Sequence, residues 1–375
     1  MINNAPMVRL GELIEIVVRP NVDNKYGIND VRGVSNTKQI QSTKANMDGR
    51  NFSPFTIIAP SEFVFNRRTT RNGERLGLGF NQSDRHYIFT EDYVPFRVKD
   101  ENVLHPAYLY ILFLRDEFDR YVRWDSWGSA TEFFNWENMC DVIIPLPSIE
   151  TQRALVAIYD GLQKTIAENE ALIKEMESVC HAFVVDCKTK YPKVKLGEWI
   201  EILEKRNSDG KNYPFTGVNK DKTFMPTAAD TNELDNTKYK VVSKDMFVFS
   251  GMQTGRDICI RLALYTEETP ILISPAYTTF VINDPSKLLP EYFFLTFCRF
   301  EMDRYGAFLS DGSIRSNLDW NRFCEIEIPL PPIALQRSIA EVFNCLQESK
   351  RIVQETRELM KNLCPAMVQK AAHSA

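Results

Sequence analysis

The chain writes one pattern twice. "IIPLPSIETQRALVAIYDGL" (Ile143 to Leu162) returns as "EIPLPPIALQRSIAEVFNCL" (Glu327 to Leu346), with the same strand end, proline corner and helix start. "VRLGELIEI" (Val8 to Ile16) returns as "VKLGEWIEI" (Val194 to Ile202). "FVF" at Phe63 to Phe65 returns at Phe247 to Phe249, Asp119-Arg120-Tyr121 as Asp303-Arg304-Tyr305, and Trp136 as Trp320. From Gly33 and Gly217 onward the shift holds at 184 residues, whereas the opening segment is shifted by 186. One small length difference therefore lies between Pro20 and Gly33. A repeat of this extent makes one fold twice, and it decides the architecture before any single residue does.

Each copy divides into two parts. The first is a mixed globular region with strand-like stretches such as "PFTIIAP", "EFVFN" and "DMFVFS". It also holds a helix opening on Pro106 or Pro290, where a proline at the first helical position costs no hydrogen bond. The second is a long helix after the proline corner. In the first copy Leu155, Ile158, Leu162, Thr165, Asn169, Leu172, Met176, Val179 and Phe183 recur at alternating spacings of three and four. In the second, Ile339, Val342, Leu346, Ser349, Val353, Thr356, Met360, Leu363 and Met367 keep the same register. Two such seams are expected to pack on one another as a coiled coil. The alternative, that each packs on its own domain, sits poorly with a helix of about 55 Å from Glu150 to Asp186. The expected fold class is α+β. Two tandem mixed α/β domains, 1–147 and 191–331, are separated and joined by long helices at 148–190 and 332–375, with an approximate internal two-fold.

Composition narrows the function classes. A chain of 375 residues at ordinary apolar content is long enough for two cores, and a net charge of −5 gives no global sign of a nucleic-acid binder. Positive potential for DNA would have to be local. The eight cysteines form no CxxC and no His/Cys group at zinc spacing, so they read as reduced, mostly buried thiols without a metal. Cys140 and Cys324 fall at equivalent places, which favours packing. The opening residues lack a signal-peptide pattern, and the longest apolar run, Ala107 to Leu114, is too short to span a bilayer. A cytoplasmic location with no membrane partner is expected.

The doubled corners "IPLPSIETQR" and "IPLPPIALQR", each leading into a long helix, and the "LGE" opening of each half resemble the DNA-specificity (S) subunit of type I restriction–modification systems. The resemblance runs from Val8 to about Gln369. It implies a non-catalytic reader of double-stranded DNA, with two target-recognition domains held apart by an antiparallel helix pair and each reading one part of a split, asymmetric site. It also implies two adenine-N6 methyltransferase subunits and motor-nuclease (restriction) subunits as partners. S-adenosylmethionine and ATP would be bound by those partners, and no cofactor by this chain. Physically, joining helices make half-site separation a property of helix length. The double-helical repeat is about 34 Å, so a ~55 Å helix is adequate to place two domains in successive major grooves. One heptad more or less should move the spacing by roughly 10 Å, about three base pairs.

The repeat also sorts residues. Positions alike in both copies should be scaffold or docking positions, because the halves share a fold but need not share a base sequence. Divergent loops are where reading should occur. The first divergent segment follows "FVF": "NRRTTRNGERLGLG" against "SGMQTGRDICIRLAL". Arg67, Arg68, Arg71 and Arg75 with Asn72 make it strongly cationic. Arginine can fork onto guanine or phosphate and asparagine onto adenine. In the second copy the charge rests on Arg256, with Gln253 and Thr254 as polar readers. The second segment is "WGSATEFFNW" against "DGSIRSNLDW". It offers Ser129 and Thr131 in one half and Ser313, Arg315, Ser316 and Asn317 in the other. A weaker third is the polar turn after a shared Gly-Val, with Asn36, Lys38, Asn219 and Lys220. For any single residue, a solvated polar surface is an equal reading.

Shared positions get the opposite assignment. Trp136, Trp320 and the Asp-Arg-Tyr triplets read as internal braces. Gln152-Arg153 and Gln336-Arg337 are candidates for docking methyltransferase subunits, with helix capping and intramolecular pairing as the equal alternative. An enzyme is the runner-up class. "NYPF" at Asn212 lacks the second proline of an amino-methyltransferase turn, and "GLGF" at Gly77 lacks the strand-to-helix context of a cofactor loop. A third class, a tandem protein-interaction scaffold that never touches DNA, is compatible with the helices and the acidic balance.

Overall fold

The computed structural model describes residues 5–43, 45–68, 75–126, 132–227, 234–252, 258–310 and 317–374, with side chains up to residue 361. The chain falls into two compact units, Met1–Ala167 with Gln354–Ala375, and Glu168–Val353. Each unit therefore holds one globular domain, part of the helix that follows the first proline corner and part of the helix that follows the second.

In the first unit β1 (Met7–Arg9), β2 (Ile14–Ile16), β3 (Phe63–Asn66), β4 (Leu78–Phe80) and β5 (Tyr93–Val98) precede three short helices, α1 (Pro106–Phe113), α2 (Asp116–Trp124) and α3 (Trp136–Asp141). Then come β6 (Ile143–Pro145) and the long helix α4 (Ile149–Lys190). The central sheet is antiparallel in the order β2-β5-β3-β4, with Phe63 opposite both Phe96 and Phe80. The alternation buries one ring from each strand on the same face, and Phe63 stacks on Phe96 at 4.9 Å between ring centroids. Helix α1 opens on its proline and buries nearly every residue against that sheet. The domain closes on itself, because β1 pairs with β6 at the proline corner.

The second unit repeats this with β7 (Lys193–Lys195), β8 (Ile200–Ile202), β9 (Phe247–Ser250), β10 (Arg261–Leu264) and β11 (Thr278–Ile282). These are followed by α5 (Pro290–Phe297), α6 (Phe300–Leu309), α7 (Trp320–Cys324), β12 (Glu327–Pro329) and the long helix α8 (Ile333–Ser374). Sheet order is β8-β11-β9-β10, Phe247 stacks on Phe280 at 4.9 Å, and β7 pairs with β12. A second sheet here joins Phe215–Val218 in parallel to Ile271–Ile273, and the equivalent contact in the first unit is a single parallel bridge from Val31 to Ile88. Trp136 and Trp320 pack on the sheet phenylalanines, Trp136 on Phe96 and Trp320 on Phe280 and Phe249, as the brace reading expects.

The "LGE" glycines have a steric reason. A Cβ at Gly11 would stand 2.7 Å from the Cβ of Cys140, and one at Gly197 3.0 Å from that of Cys324. Both cysteines thus have the packing role that their equivalent positions suggested.

Both long helices form, but the seam of α4 is half corrected. Leu155, Leu162, Thr165, Asn169, Met176 and Phe183 lie on the partly buried side as expected, whereas Ile158, Leu172 and Val179 are 43%, 48% and 52% exposed. The buried or half-buried partners are their neighbours Tyr159, Ile166, Ile173 and Cys180, together with Gln152 and Cys187. Alternation of three and four is kept, with every second position one residue later. In α8 the expected Ile339, Leu346, Ser349, Val353 and Thr356 are buried and Val342 is half-buried beside buried Phe343. The two registers are therefore similar without being identical. Within the second unit, Ile173, Met176, Cys180 and Val184 of α4 share a core with Ile339, Phe343 and Leu346 of α8, and Lys350 pairs with Glu177 at 2.8 Å. There α4 leads into β7 while α8 leaves from β12, so the two segments run in opposite directions. Among the described residues no helix is long and apolar enough to cross a membrane.

Candidate nucleic-acid interface

The two divergent segments meet at their roots in both halves. In the first unit Arg68 forms an antiparallel bridge with Phe133, and the Phe134 amide donates to the Arg67 carbonyl at 2.9 Å. In the second, Met252 bridges Asn317 and the Leu318 amide donates to the Gly251 carbonyl at 2.7 Å. All four pairs are related by the same 184-residue shift. Strand β3 or β9 delivers the first loop, and the short helix α3 or α7 anchors the end of the second. Loops on rigid elements of this kind are where reading residues can be presented with fixed geometry. Arg71, Asn72, Ser129, Thr131, Gln253, Thr254, Arg256, Ser313, Arg315 and Ser316 lie outside the described residues.

The root positions differ between halves in a way that follows from side-chain size. A Cβ on Gly251 would stand 2.4 Å from the Leu318 carbonyl oxygen, so the second loop pair closes more tightly than a side chain allows. The first carries Arg67 at the equivalent place, exposed to solvent. Arg68 lies 3.6 Å from Asp92 and Arg75 3.8 Å from Asp116, all partly exposed. Pairs so open contribute little to stability, ~1 kcal/mol at most. Their guanidinium groups can exchange a carboxylate for a phosphate at small cost.

The third segment is partly corrected. Lys38 is buried, with its ammonium 2.6 Å from Asp119 and 2.5 Å from the Phe113 carbonyl, so it is not available to a duplex. Burial pushes the Lys38 ammonium below its ordinary value, against the pull of Asp119. Asn219 spends its side chain on its own turn, donating to Thr223 Oγ1 at 2.7 Å and accepting from the Thr223 amide at 3.0 Å. Asn36 and Lys220 remain exposed at the tips of equivalent turns. Asn317 is exposed on its bridge.

Residues 4–178 match the family model for the type I restriction modification DNA specificity domain. The first half of the chain is thus similar to this family. The second half carries the same motifs and elements, and a solved structure extends the likeness in fold to the full length. The crystal structure of the type I restriction-modification system S subunit from M. genitalium superposes with a TM-score of 0.62 at 12% identity, covering 98% of this chain and 96% of that one. The HsdS subunit from Thermoanaerobacter tengcongensis covers 99% of this chain and 97% of its own at 18% identity, with a TM-score of 0.41. Among curated proteins no match to the sequence is found.

In this chain the helix-start glutamines are internal locks, which corrects their reading as docking residues. The Gln152 side chain is fully buried, accepts from the His105 amide at 2.8 Å and donates to the carbonyls of Val103 and Pro147 at 3.0 and 2.9 Å. Gln336 repeats this with the Leu289 amide and the carbonyls of Lys287 and Pro331, at 2.9, 2.8 and 2.8 Å. Each glutamine ties the start of a long helix to the start of the domain helix α1 or α5. Arg153 and Arg337, beside them, are exposed.

Proposed function

We propose that this chain is the non-catalytic DNA-reading subunit of a type I restriction–modification complex. Each domain reads one part of a split, asymmetric duplex site through its rooted loop pair, and α4 and α8 act as the spacers that set the distance between the parts. The observation that carries the reading is the pair of divergent loops bridged at equivalent residues in both domains, on a frame whose remaining motifs are shared. A duplicated scaffold with loops that differ suits two different base sequences presented at one separation. Adenine-N6 methyltransferase subunits and motor-nuclease subunits supply the chemistry, and S-adenosylmethionine and ATP belong to them. The exposed Arg153 and Arg337, at equivalent helix starts, are proposed to meet two copies of one methyltransferase partner. The complex acts in the cytoplasm.

The test is selection from a random duplex library by the full chain assembled with its methyltransferase subunits. Two short fixed segments separated by a constant unspecified spacer are expected. Failure to enrich any motif, with assembly demonstrated, would favour the scaffold class.

A further inference from the structure

One carboxylate in each domain holds two of the divergent segments at once. In the first, Asp119 Oδ1 lies 2.6 Å from the Lys38 ammonium and accepts from the Leu76 amide at 3.1 Å. Lys38 belongs to the polar turn that exposes Asn36, and Leu76 follows directly on the cationic loop that ends at Arg75. In the second, Asp303 Oδ1 accepts from Lys222 at 2.7 Å and from the Ile260 amide at 2.9 Å, while Lys222 also donates to the Ile260 carbonyl at 3.0 Å. Lys222 belongs to the turn that exposes Lys220, and Ile260 lies at the return of the second loop. Lysine, aspartate and amide all obey the 184-residue shift.

The arrangement is costly enough to need a reason. Both lysines are buried, at 2% and 7% exposure, and both have φ of 61°, in the left-handed region that a side chain disfavours. Burying an ion pair is weak as a source of stability, because desolvation offsets the attraction and apolar residues of similar volume often do as well. What the pair does supply is geometry. It fixes the turn against the loop through a single oxygen atom, in two domains whose loop sequences differ.

We propose that Lys38–Asp119 and Lys222–Asp303 are positioning pairs that set base discrimination, each for its own half of the target. The inference rests on the DNA-reading function above. Its test is the same duplex selection, run with the full chain and its methyltransferase subunits. Asp119→Asn should relax one half of the enriched motif, with preference at the affected bases falling about tenfold, the equivalent of one lost hydrogen bond, while the other half stays as in the wild type. Asp303→Asn should do the reverse. The Lys38→Met/Asp119→Asn double variant removes both charges and keeps an acceptor for the Leu76 amide. It is expected to melt close to the wild type and still relax its half of the motif. Unchanged discrimination in the folded double variant, or equal loss in both halves from either single variant, would overturn the inference. A wild-type chain that enriches no two-part motif would instead sink the function on which it rests.

Discussion

Arg68 and Phe133, far apart in sequence, face each other in an antiparallel bridge, and Met252 and Asn317 repeat that bridge in the second domain. The two divergent segments are therefore joined at their roots in each domain by backbone hydrogen bonds that do not depend on loop sequence. Loop sequence can then vary without loss of the frame.

The tightness of the second root makes Gly251 a sensitive position. Gly251→Ala places a Cβ within 2.4 Å of the Leu318 carbonyl oxygen. Overpacking of this kind costs about 1–3 kcal/mol. Urea unfolding should show a destabilised chain, and under the proposed function the half of the target assigned to the second domain should weaken while the other half is retained. An equally stable variant would mean that the root is looser than described.

The cationic loop should contribute through charge. Replacing Arg67, Arg68 and Arg71 with alanine is expected to lower affinity for duplex DNA. It should also flatten the dependence of log K on log salt by about 0.9 for each phosphate contact removed. Titrations at several salt concentrations read both. Unchanged affinity and slope would remove this loop from the interface.

The glutamine locks and their arginine neighbours should separate stability from assembly. Gln152→Ala leaves the His105 amide and the carbonyls of Val103 and Pro147 without their partner and should cost about 1–3 kcal/mol in denaturant unfolding. Arg153→Ala should stay within about 0.5 kcal/mol of wild type, as exposed substitutions do. Under the proposed docking role it should nevertheless weaken methyltransferase binding. Normal assembly by Arg153→Ala would place the docking surface elsewhere.

The corrected seam of α4 is testable by a pair of truncations. Ile166→Ala, at a buried position, should cost about 2 kcal/mol or more, whereas Leu172→Ala, 48% exposed, should cost under about 0.5 kcal/mol. Thermal melts of the two variants should rank them in that order. The reverse order would place Leu172, and not Ile166, on the buried seam.

The duplication, the proline-led helices, the "FVF" strands and the two long helices follow from repeated motifs and periodicity, which are local signals. The seam slipped because Ile158-Tyr159, Leu172-Ile173 and Val179-Cys180 are adjacent apolar pairs, and spacing alone does not say which member turns inward. Thr165 beside Ile166 held the clue, since the apolar residue is the better seam position. Lys38 reads as a candidate DNA contact because a lysine in a polar turn is usually solvated. Its identity with Lys222 at the shared shift, matched by Asp119 and Asp303, already marked it as frame by the rule that shared positions are scaffold. The joining of Arg68 to Phe133 carried no local signal, because a bridge between distant loops depends on how the sheet and helices bring their ends together. Gln152 and Gln336 were visible as shared residues, but only burial decides between a lock and a docking contact.

The most direct test of the central claim is single-molecule methylome sequencing of DNA from cells that express this chain with its methyltransferase subunit, against cells lacking this chain alone. The expected result is a new N6-methyladenine motif in two defined parts separated by a constant run of unspecified bases. With the methyltransferase shown to be active, the absence of any motif that depends on this chain would contradict the account.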